Sequence, residues 1–371
     1  MTQRTKPPFR AEHVGSLLRP AALKQARLDH AAGNIDAAQL RAIEDDAIRK
    51  LVRQQEDAGL QAVTDGEFRR DSWHMDFYRQ IGGLVARGSA APIKFKTHAG
   101  EIDYVTASLQ IEAQLTLPQT IFAADFAFLK SVAKATPKVT IPSPSVLHRR
   151  AITAQGNAAV YRDIDAFWRD LTAVYAAEVA QLGALGCTYL QLDDTSFATL
   201  CDPAQREGLS KIGADGEHIH ETYIRVFNEA VKARPAGMSV VTHTCRGNHR
   251  SAWFASGSYD FIADALFNKL DVDGFFLEYD DERSGDFAPL RFLPKGKIAV
   301  LGIVSSKQRA LESKDQIKRR LEEAARFAPL EQLALSPQCG FSSTLDGNDL
   351  SEAEQFAKLR LIAEVAREVW G

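Results

Sequence analysis

The stretch Val240-Val241-Thr242-His243-Thr244-Cys245-Arg246-Gly247-Asn248 has the composition of a β-strand that ends in a turn. Three β-branched residues in a row favour a strand, and the Arg-Gly-Asn sequence favours its end. His243 and Cys245 are two positions apart, so their side chains point to the same face of an extended backbone. An imidazole and a thiol at one strand end form half of a zinc site, although buried packing residues show the same spacing. Other parts of the chain must therefore decide whether a metal binds here.

The length and composition are those of an ordinary globular protein. The chain has 371 residues, 45% hydrophobic and 25% charged, with a net charge of −3, which allows one large domain or two ordinary ones. No basic tract or acidic tail stands out, so we expect neither nucleic acid nor a membrane surface as a partner. No apolar run approaches the roughly 20 residues that span a bilayer, and no signal core follows the N-terminus. We therefore expect a cytoplasmic protein.

The four cysteines are too sparse for a disulfide scaffold in a chain of this length. They are therefore available as thiols for packing, metal binding or chemistry. Cys187 opens a predicted strand and Cys201 lies in a predicted helix, so neither is placed at the end of a strand. Cys245 and Cys339 both follow predicted strands, and these two are the candidate metal ligands.

Eight short apolar runs alternate with amphipathic stretches, a pattern typical of a (β/α)8 (TIM) barrel in the α/β class. We predict one such domain over residues 1–371. An open doubly wound sheet is the alternative, but no Gly-x-Gly-x-x-Gly motif follows the first run. The predicted strands are residues 12–17, 60–65, 138–142, 187–193, 240–245, 274–278, 297–304 and 333–337. The predicted helices are residues 35–58, 164–185, 220–233, 306–327 and 351–370.

Residues 70–137 are too many for the connection of a single βα unit. Within them, residues 102–111 alternate between apolar and polar side chains as one arm of a β-hairpin does. We interpret the segment as an insertion after the second strand. It would either cover the mouth of the barrel or contribute to a homo-oligomer contact, and the sequence does not distinguish the two.

Polar residues occur where the predicted strands end, which is where barrels of this type carry their chemistry. Each has an ordinary explanation alone, such as a helix cap or a surface ion pair. Two thiolates, one imidazole and one carboxylate, however, make a tetrahedral set for Zn²⁺, and sulfur ligands argue against Mg²⁺ or Ca²⁺. The predicted zinc ligands are His243, Cys245, Glu278 and Cys339. The other polar residues at these ends include Ser16, Glu67, Asp193 and Asp194.

Several of these motifs resemble those of a known family. Thr242-His243-Thr244-Cys245, Glu278 and Pro337-Gln338-Cys339-Gly340 are similar to the zinc site of cobalamin-independent methionine synthases. The catalytic half of those enzymes carries a His-x-Cys pair, a Glu on the next strand and a final Cys before Gly. The resemblance runs from about residue 10 to the C-terminus. It is strongest to the short, single-barrel members, which often begin as residues 10–20 do here, with Arg-Ala-Glu-His-Val-Gly-Ser-Leu-Leu-Arg-Pro.

The resemblance implies zinc-dependent transfer of a methyl group to the thiol of homocysteine, which gives methionine. By motif, Glu67 and Asp193 would act in catalysis by holding the substrate amino group, and Ser16 would contact its carboxylate. Arg246 departs from the long enzymes and is predicted to bind an anionic group. Zinc ionises a thiol whose pKa is otherwise about 8.5, and the thiolate is the nucleophile.

The methyl donor is left open, as methylfolate or another compound. The full-length enzymes use a His after the seventh strand to handle a proton, whereas residues 302–307 contain none. One alternative is a zinc-dependent alkyl transferase that joins an epoxide to the thiol of coenzyme M. Glu67 and Asp193 argue against its sulfonate, and Arg246 slightly favours it. A closed, purely structural zinc site is a further alternative.

Overall fold

Twelve strands and twelve α-helices lie within residues 4–152, 160–211 and 215–371, which this computed structural model describes. The strands are β1 Ala62–Val63, β2 Gly82–Arg87, β3 Ile93–Thr97, β4 Gly100–Tyr104, β5 Ser108–Thr116, β6 Thr136–Pro137, β7 Val139–Pro142, β8 Tyr189–Asp194, β9 Ser239–Thr244, β10 Gly274–Glu278, β11 Ile298–Val304 and β12 Leu333–Pro337. The helices are α1 Ala21–Ala31, α2 Ala37–Asp57, α3 Met75–Tyr78, α4 Ala123–Val132, α5 Pro144–Leu147, α6 Ile164–Ala184, α7 Ser196–Leu200, α8 Pro203–Lys211, α9 Ile219–Val231, α10 Ala263–Lys269, α11 Lys314–Ala324 and α12 Glu352–Trp370. None of these helices is both long and apolar enough to cross a membrane.

Parallel strands form the wall of a (β/α)8 barrel, as predicted. Strands β7 to β12 pair in chain order as one six-stranded parallel sheet. Strand β6 is separated from β7 by one residue and pairs with β1. Because β1 lies within the second predicted strand, this pairing adds that strand to the wall. The first predicted strand closes the ring, because Ala11 bridges Leu335 of β12 and the Leu17 amide donates to the Gly66 carbonyl at 3.1 Å. The carboxyl ends of all these strands therefore meet at one mouth.

Most predicted elements are found within a few residues of their expected limits, and two differ for identifiable reasons. The first apolar run, residues 12–17, forms no strand, and the one bridge beside it is at Ala11. Gly15 has φ 144°, which is outside the range of an L-residue in a strand. The helix predicted from residue 306 begins only at Lys314. A capping box between Ser313 and Gln316 fixes that start.

A buried ion pair lies inside the barrel, beside the start of β7. Lys138 Nζ is 3.4 Å from Glu12 Oε2, and both side chains are 0% exposed. Lys138 also donates to Gln191 Oε1 at 3.2 Å, and the Tyr189 hydroxyl donates to Glu12 Oε1 at 2.7 Å. Glu12 Oε1 also accepts the Phe9 amide at 2.9 Å, and Lys138 also donates to the His13 carbonyl. Because each charge is buried opposite the other, the two depend on one another for stability.

We expect Lys138→Met to destabilise the protein by about 3–5 kcal/mol, because it leaves the Glu12 carboxylate buried without its cation. Urea denaturation followed by circular dichroism measures the change. Lys314→Met removes a cation from a half-exposed pair with Glu368 on α11 and α12 and serves as the control, with a much smaller effect. Equal stability losses in the two variants would show that the buried pair has no special role.

The insertion between β1 and β6 contains two small antiparallel sheets and the helices α3 and α4. Strand β2 pairs with β5, and β3 pairs with β4 as a hairpin. The prediction of one continuous arm over residues 102–111 was therefore wrong, since β4 and β5 belong to different sheets. Lys96 of β3 and Trp253, in the segment after β9, exchange backbone hydrogen bonds of 2.6 and 3.0 Å. These bonds hold the β3–β4 hairpin across the mouth of the barrel.

Candidate metal centre and catalytic cavity

Four side chains from the ends of three strands, β9, β10 and β12, converge at the mouth of the barrel. His243 lies near the end of β9 and Cys245 follows it directly, Glu278 ends β10, and Cys339 follows β12. One ligand atom of each lies within 4.8 Å of the others, and all four residues are buried. Parallel strands place their carboxyl ends side by side, which is why residues almost 100 positions apart meet here.

The bonding of this cluster fits a metal ion. Neither ring nitrogen of the buried His243 has a hydrogen-bond partner among the described residues. Glu278 Oε1 accepts the Arg246 amide at 2.7 Å, whereas Oε2 has only the Arg283 guanidinium at 3.6 Å. Buried polar atoms are rarely left unpaired in proteins. Two sulfurs, an imidazole nitrogen and a carboxylate oxygen make up a donor set suited to a thiophilic divalent cation.

The two thiols of the cluster differ in acidity. Their sulfurs are 3.4 Å apart, and both cysteines are free. The hydrogen bond from Cys245 lowers the pKa of Cys339, and the neighbouring His243 and Lys307 lower it further, against the effect of burial. The same hydrogen bond raises the pKa of Cys245. The pair therefore favours one thiolate that accepts a hydrogen bond from the other thiol, and a bound cation would favour the ionised form of both.

The cluster opens into a cavity whose wall includes three further predicted site residues. They are Ser16, Glu67 and Asp193, so the structure brings seven of the eight predicted side chains to one place. The cavity wall is formed by Val14, Ser16, Glu67, Trp73, Phe95, Tyr104, Arg150, Asp193, Thr195, His243, Cys245, Gly247, Asn248, His249, Cys339, Gly340, Ser343 and Thr344.

Glu67 is held in a strained conformation at the cavity wall. Its φ is 60°, in the left-handed region that non-glycine residues seldom adopt. The Thr140 hydroxyl donates to Glu67 Oε1 at 2.8 Å and Arg70 lies 3.6 Å from the same oxygen, while Oε2 has no hydrogen-bond partner in the described structure. Burial raises the pKa of Glu67, against the effect of Arg70 and Thr140. The unpaired oxygen is available to a cationic ligand.

Asp193 is the second buried acid of the cavity. The Gln191 amide donates to its Oδ1 at 2.7 Å. Burial raises the pKa of Asp193 to about 7, with His243 opposing and Glu67 adding to the shift. A ligand ammonium between the two carboxylates would lower both pKa values and be held by charge-assisted hydrogen bonds.

Arg246, the eighth predicted residue, does not line the cavity. Its side chain is fully buried and donates to the Tyr259 hydroxyl at 2.8 Å, to the Glu278 carbonyl at 3.1 Å and to the Gly257 carbonyl at 2.8 Å. The prediction that Arg246 binds an anionic group is not supported by this position, because these donors are used within the protein. Its backbone amide instead orients Glu278.

Sequence reasoning missed the residues that close the outer part of the cavity. Phe95 and Tyr104 come from the β3–β4 hairpin, and Arg150 lies in a π-helical turn after α5. His249 contacts both aromatic rings, with centroid distances of 5.8 Å to Phe95 and 4.7 Å to Tyr104. The adjacent Arg149-Arg150 pair was the one visible signal of a cationic wall.

The comparison with known families decides the classification. Residues 9–368 match the family described as cobalamin-independent synthase, catalytic domain. The chain belongs to this family. The resemblance drawn from the His-x-Cys pair, the Glu and the final Cys is confirmed, and with it the barrel fold.

Curated relatives include both short and long proteins. The chain is 44% identical over 370 residues to the protein YxjH of Bacillus subtilis, covering 98% of this chain and 96% of that protein. It is 24% identical over 328 residues to a methionine synthase of Sulfolobus acidocaldarius, covering 88% and 84%. A 5-methyltetrahydropteroyltriglutamate–homocysteine methyltransferase of Bacillus licheniformis is 22% identical over 362 residues, which are 96% of this chain but 42% of that protein.

Solved structures share the fold over nearly the whole chain. A candidate vitamin-B12-independent methionine synthase from Listeria monocytogenes has a TM-score of 0.78 at 35% identity, covering 99% of this chain and 100% of that one. A B12-independent methionine synthase from Shewanella sp. W3-18-1, in complex with selenomethionine, has a TM-score of 0.75 at 18% identity, covering 97% of each chain. The second likeness concerns the fold alone.

Proposed function

We propose that this chain, acting as one catalytic domain over residues 1–371, is a zinc-dependent methyltransferase that converts L-homocysteine to methionine. The observation that carries the proposal is that four metal-ligand atoms lie within 4.8 Å of one another on the wall of a cavity that also holds two buried acids. Membership of the cobalamin-independent synthase family supports the reaction class. A methyltetrahydropteroyl compound is the donor we propose, since the long relative from Bacillus licheniformis is named for it.

His243, Cys245, Glu278 and Cys339 would hold the zinc. A structural zinc site is closed by its four ligands, whereas a catalytic one gives a position to substrate. His243, Cys245 and Cys339 border the cavity, and Glu278 does not. When bound, zinc supplies the Lewis acidity that ionises the substrate thiol near neutral pH. We propose that Glu278 is the ligand that yields, because Arg283, 3.6 Å from its free oxygen, compensates its charge when it leaves.

Glu67 and Asp193 would bind the ammonium of homocysteine, and Ser16 its carboxylate. The two carboxylates are almost fully buried, and water cannot neutralise them, so an organic cation is the ligand that satisfies both. With the amino-acid end fixed there, the thiol end is directed to the cysteine side of the same cavity. Such positioning fixes the sulfur for in-line attack on the methyl carbon.

Coenzyme M fits this cavity less well than homocysteine. Its sulfonate would lie close to Glu67 and Asp193 and be repelled by them. Arg246, the residue that favoured a sulfonate, is used by protein acceptors away from the cavity. Isothermal titration of zinc-loaded protein with each thiol compares the two acceptors. We expect tighter binding of homocysteine, by at least about tenfold, because only its ammonium pairs with the two acids.

The direct test is methionine formation by the zinc-loaded chain from L-homocysteine and 5-methyltetrahydropteroyltriglutamate, followed by mass spectrometry. We expect turnover that disappears when a chelator removes the metal and returns when zinc is added back. If the folded, zinc-loaded chain neither binds homocysteine nor forms methionine, the proposed function is wrong.

A further inference from the structure

His249 lies in the wall of the catalytic cavity and has no role in the proposed metal site. His249 is 8% exposed, and its Nδ1 has no hydrogen-bond partner in the part of the chain that the structure describes. The ring is fixed between the β3–β4 hairpin and the β9 loop, against Tyr104 at 4.7 Å and Phe95 at 5.8 Å. A buried, fixed imidazole with an unused nitrogen beside a reaction cavity is a typical proton carrier.

The end of β11, the seventh strand of the barrel wall, carries no imidazole that could transfer a proton. The Ser306 amide donates to Gln338 Oε1 and its hydroxyl to the Gly340 carbonyl, while Lys307 Nζ donates to the Gly247 carbonyl at 3.2 Å. None of the described residues from 298 to 312 lines the cavity. The segment thus locks the β12 and β9 loops in place, and none of its described side chains lines the cavity.

The other titratable groups of the cavity are already engaged. In the proposed function, Glu67 and Asp193 bind the substrate ammonium. The side chains of His243, Cys245 and Cys339 bind the metal. Burial raises the pKa of Tyr104, so it does not lose its proton near neutral pH. Among the described residues of the cavity wall, His249 is therefore the group left to exchange a proton near pH 7.

We propose that His249 carries the substrate's thiol proton to the leaving group of the methyl donor. This inference rests on the proposed function. In the first step the S–H bond of homocysteine breaks and the proton moves to a nitrogen of neutral His249. In the second, the sulfur lone pair attacks the methyl carbon and an S–C bond forms. The C–N bond of the donor breaks, its electron pair stays on nitrogen, and that nitrogen takes the proton from His249. The imidazole is neutral again, and no other reactant is consumed.

The surroundings of His249 suit a transient proton. Asp346 favours the charged imidazole, whereas burial and Arg250 oppose it, and together they lower the pKa of His249. The Arg150 guanidinium lies 5.9 Å from the centroid of the Tyr104 ring and adds positive charge to the same wall. A proton held in this environment is given up readily to a nitrogen that is becoming basic.

The test compares His249→Gln with His98→Gln in the zinc-loaded, full-length chain. His98 is an exposed histidine of the insertion that stacks on Trp253 at 5.1 Å and is absent from the cavity wall, so it is the matched control. With 5-methyltetrahydropteroyltriglutamate, His249→Gln should lower kcat by about 100-fold. Its zinc content and its dissociation constant for homocysteine should stay within threefold of the wild type, and His98→Gln should match the wild type throughout.

A second donor separates proton transfer from a structural role. Iodide leaves without a proton, and solvent can take the thiol proton of bound homocysteine when no leaving group needs it. Methyl iodide should therefore methylate bound homocysteine at equal rates in the wild type and His249→Gln. A kcat for His249→Gln within threefold of the wild type would overturn the inference, and so would an equal loss with both donors. A wild-type chain that binds zinc but neither binds nor methylates homocysteine would instead refute the proposed function.

Discussion

Cys339→Ser is expected to remove zinc and methionine formation together. The Cys339 thiolate is one of the four proposed ligands in a buried set. A serine hydroxyl does not ionise near neutral pH and is a much weaker ligand for zinc. Metal analysis of the purified protein should fall from about one zinc per chain to below about 0.1. Activity should fall at least about 10³-fold, because the substrate thiol is no longer ionised. Circular dichroism should show an intact barrel, since the cluster lies outside the hydrophobic core.

Cys187→Ser is the control for this change. Cys187 is an equally buried thiol, but it lies before β8, at the opposite end of the strands from the mouth. It should keep its zinc and its activity, although it should lose some stability because a hydroxyl replaces a packed sulfur. Equal zinc contents in Cys339→Ser and Cys187→Ser would exclude Cys339 as a ligand.

Glu67→Gln and Asp193→Asn should each lower kcat/KM for homocysteine by several hundred-fold. Each change removes one carboxylate from the buried site proposed for the substrate ammonium, and breaking such a pair costs about 3–4 kcal/mol. The loss should appear mainly in KM, because we propose that the carboxylates hold the amino-acid end of the substrate. Zinc content should be unchanged, which separates this effect from the loss of the metal. Steady-state kinetics with varied homocysteine measure it.

Asp194→Asn provides the comparison for Asp193→Asn. Asp194 adjoins Asp193 in β8, but it accepts from the Ser143 and Ser145 hydroxyls and from the Phe197 amide, and it does not line the cavity. Its change should lower stability and leave KM nearly as it was. A KM for Asp193→Asn close to that of the wild type would mean that the ammonium binds elsewhere.

The barrel was predictable from the sequence because its strands are buried on both faces. Runs such as residues 274–278 and 333–337 are apolar nearly throughout, and β10 and β12 have these limits. The prediction of the first strand, residues 12–17, was less accurate, because Gly15 departs from the strand conformation. Pattern reasoning also joined residues 102–111 into one arm, since alternation persists across the break that separates β4 from β5.

The positions of the metal-site residues followed from one geometric rule, that the carboxyl ends of parallel strands share a mouth. The rule places His243, Cys245 and Cys339 without any knowledge of the loops. It says nothing of the direction of a side chain beyond the strand, which is why Arg246 was assigned to the cavity. Phe95 was missed because its place depends on the pairing of Lys96 with Trp253, a long-range contact that local sequence does not encode.

The central claim is that the four-residue cluster holds a zinc ion that accepts the sulfur of the substrate. X-ray absorption at the zinc edge, with and without L-homocysteine, tests it most directly. We predict two sulfur ligands in the protein alone and three after homocysteine is added, with the loss of one oxygen ligand as Glu278 leaves. Two sulfurs in both spectra would describe a closed structural site and contradict the claim, as would a folded protein that binds no zinc.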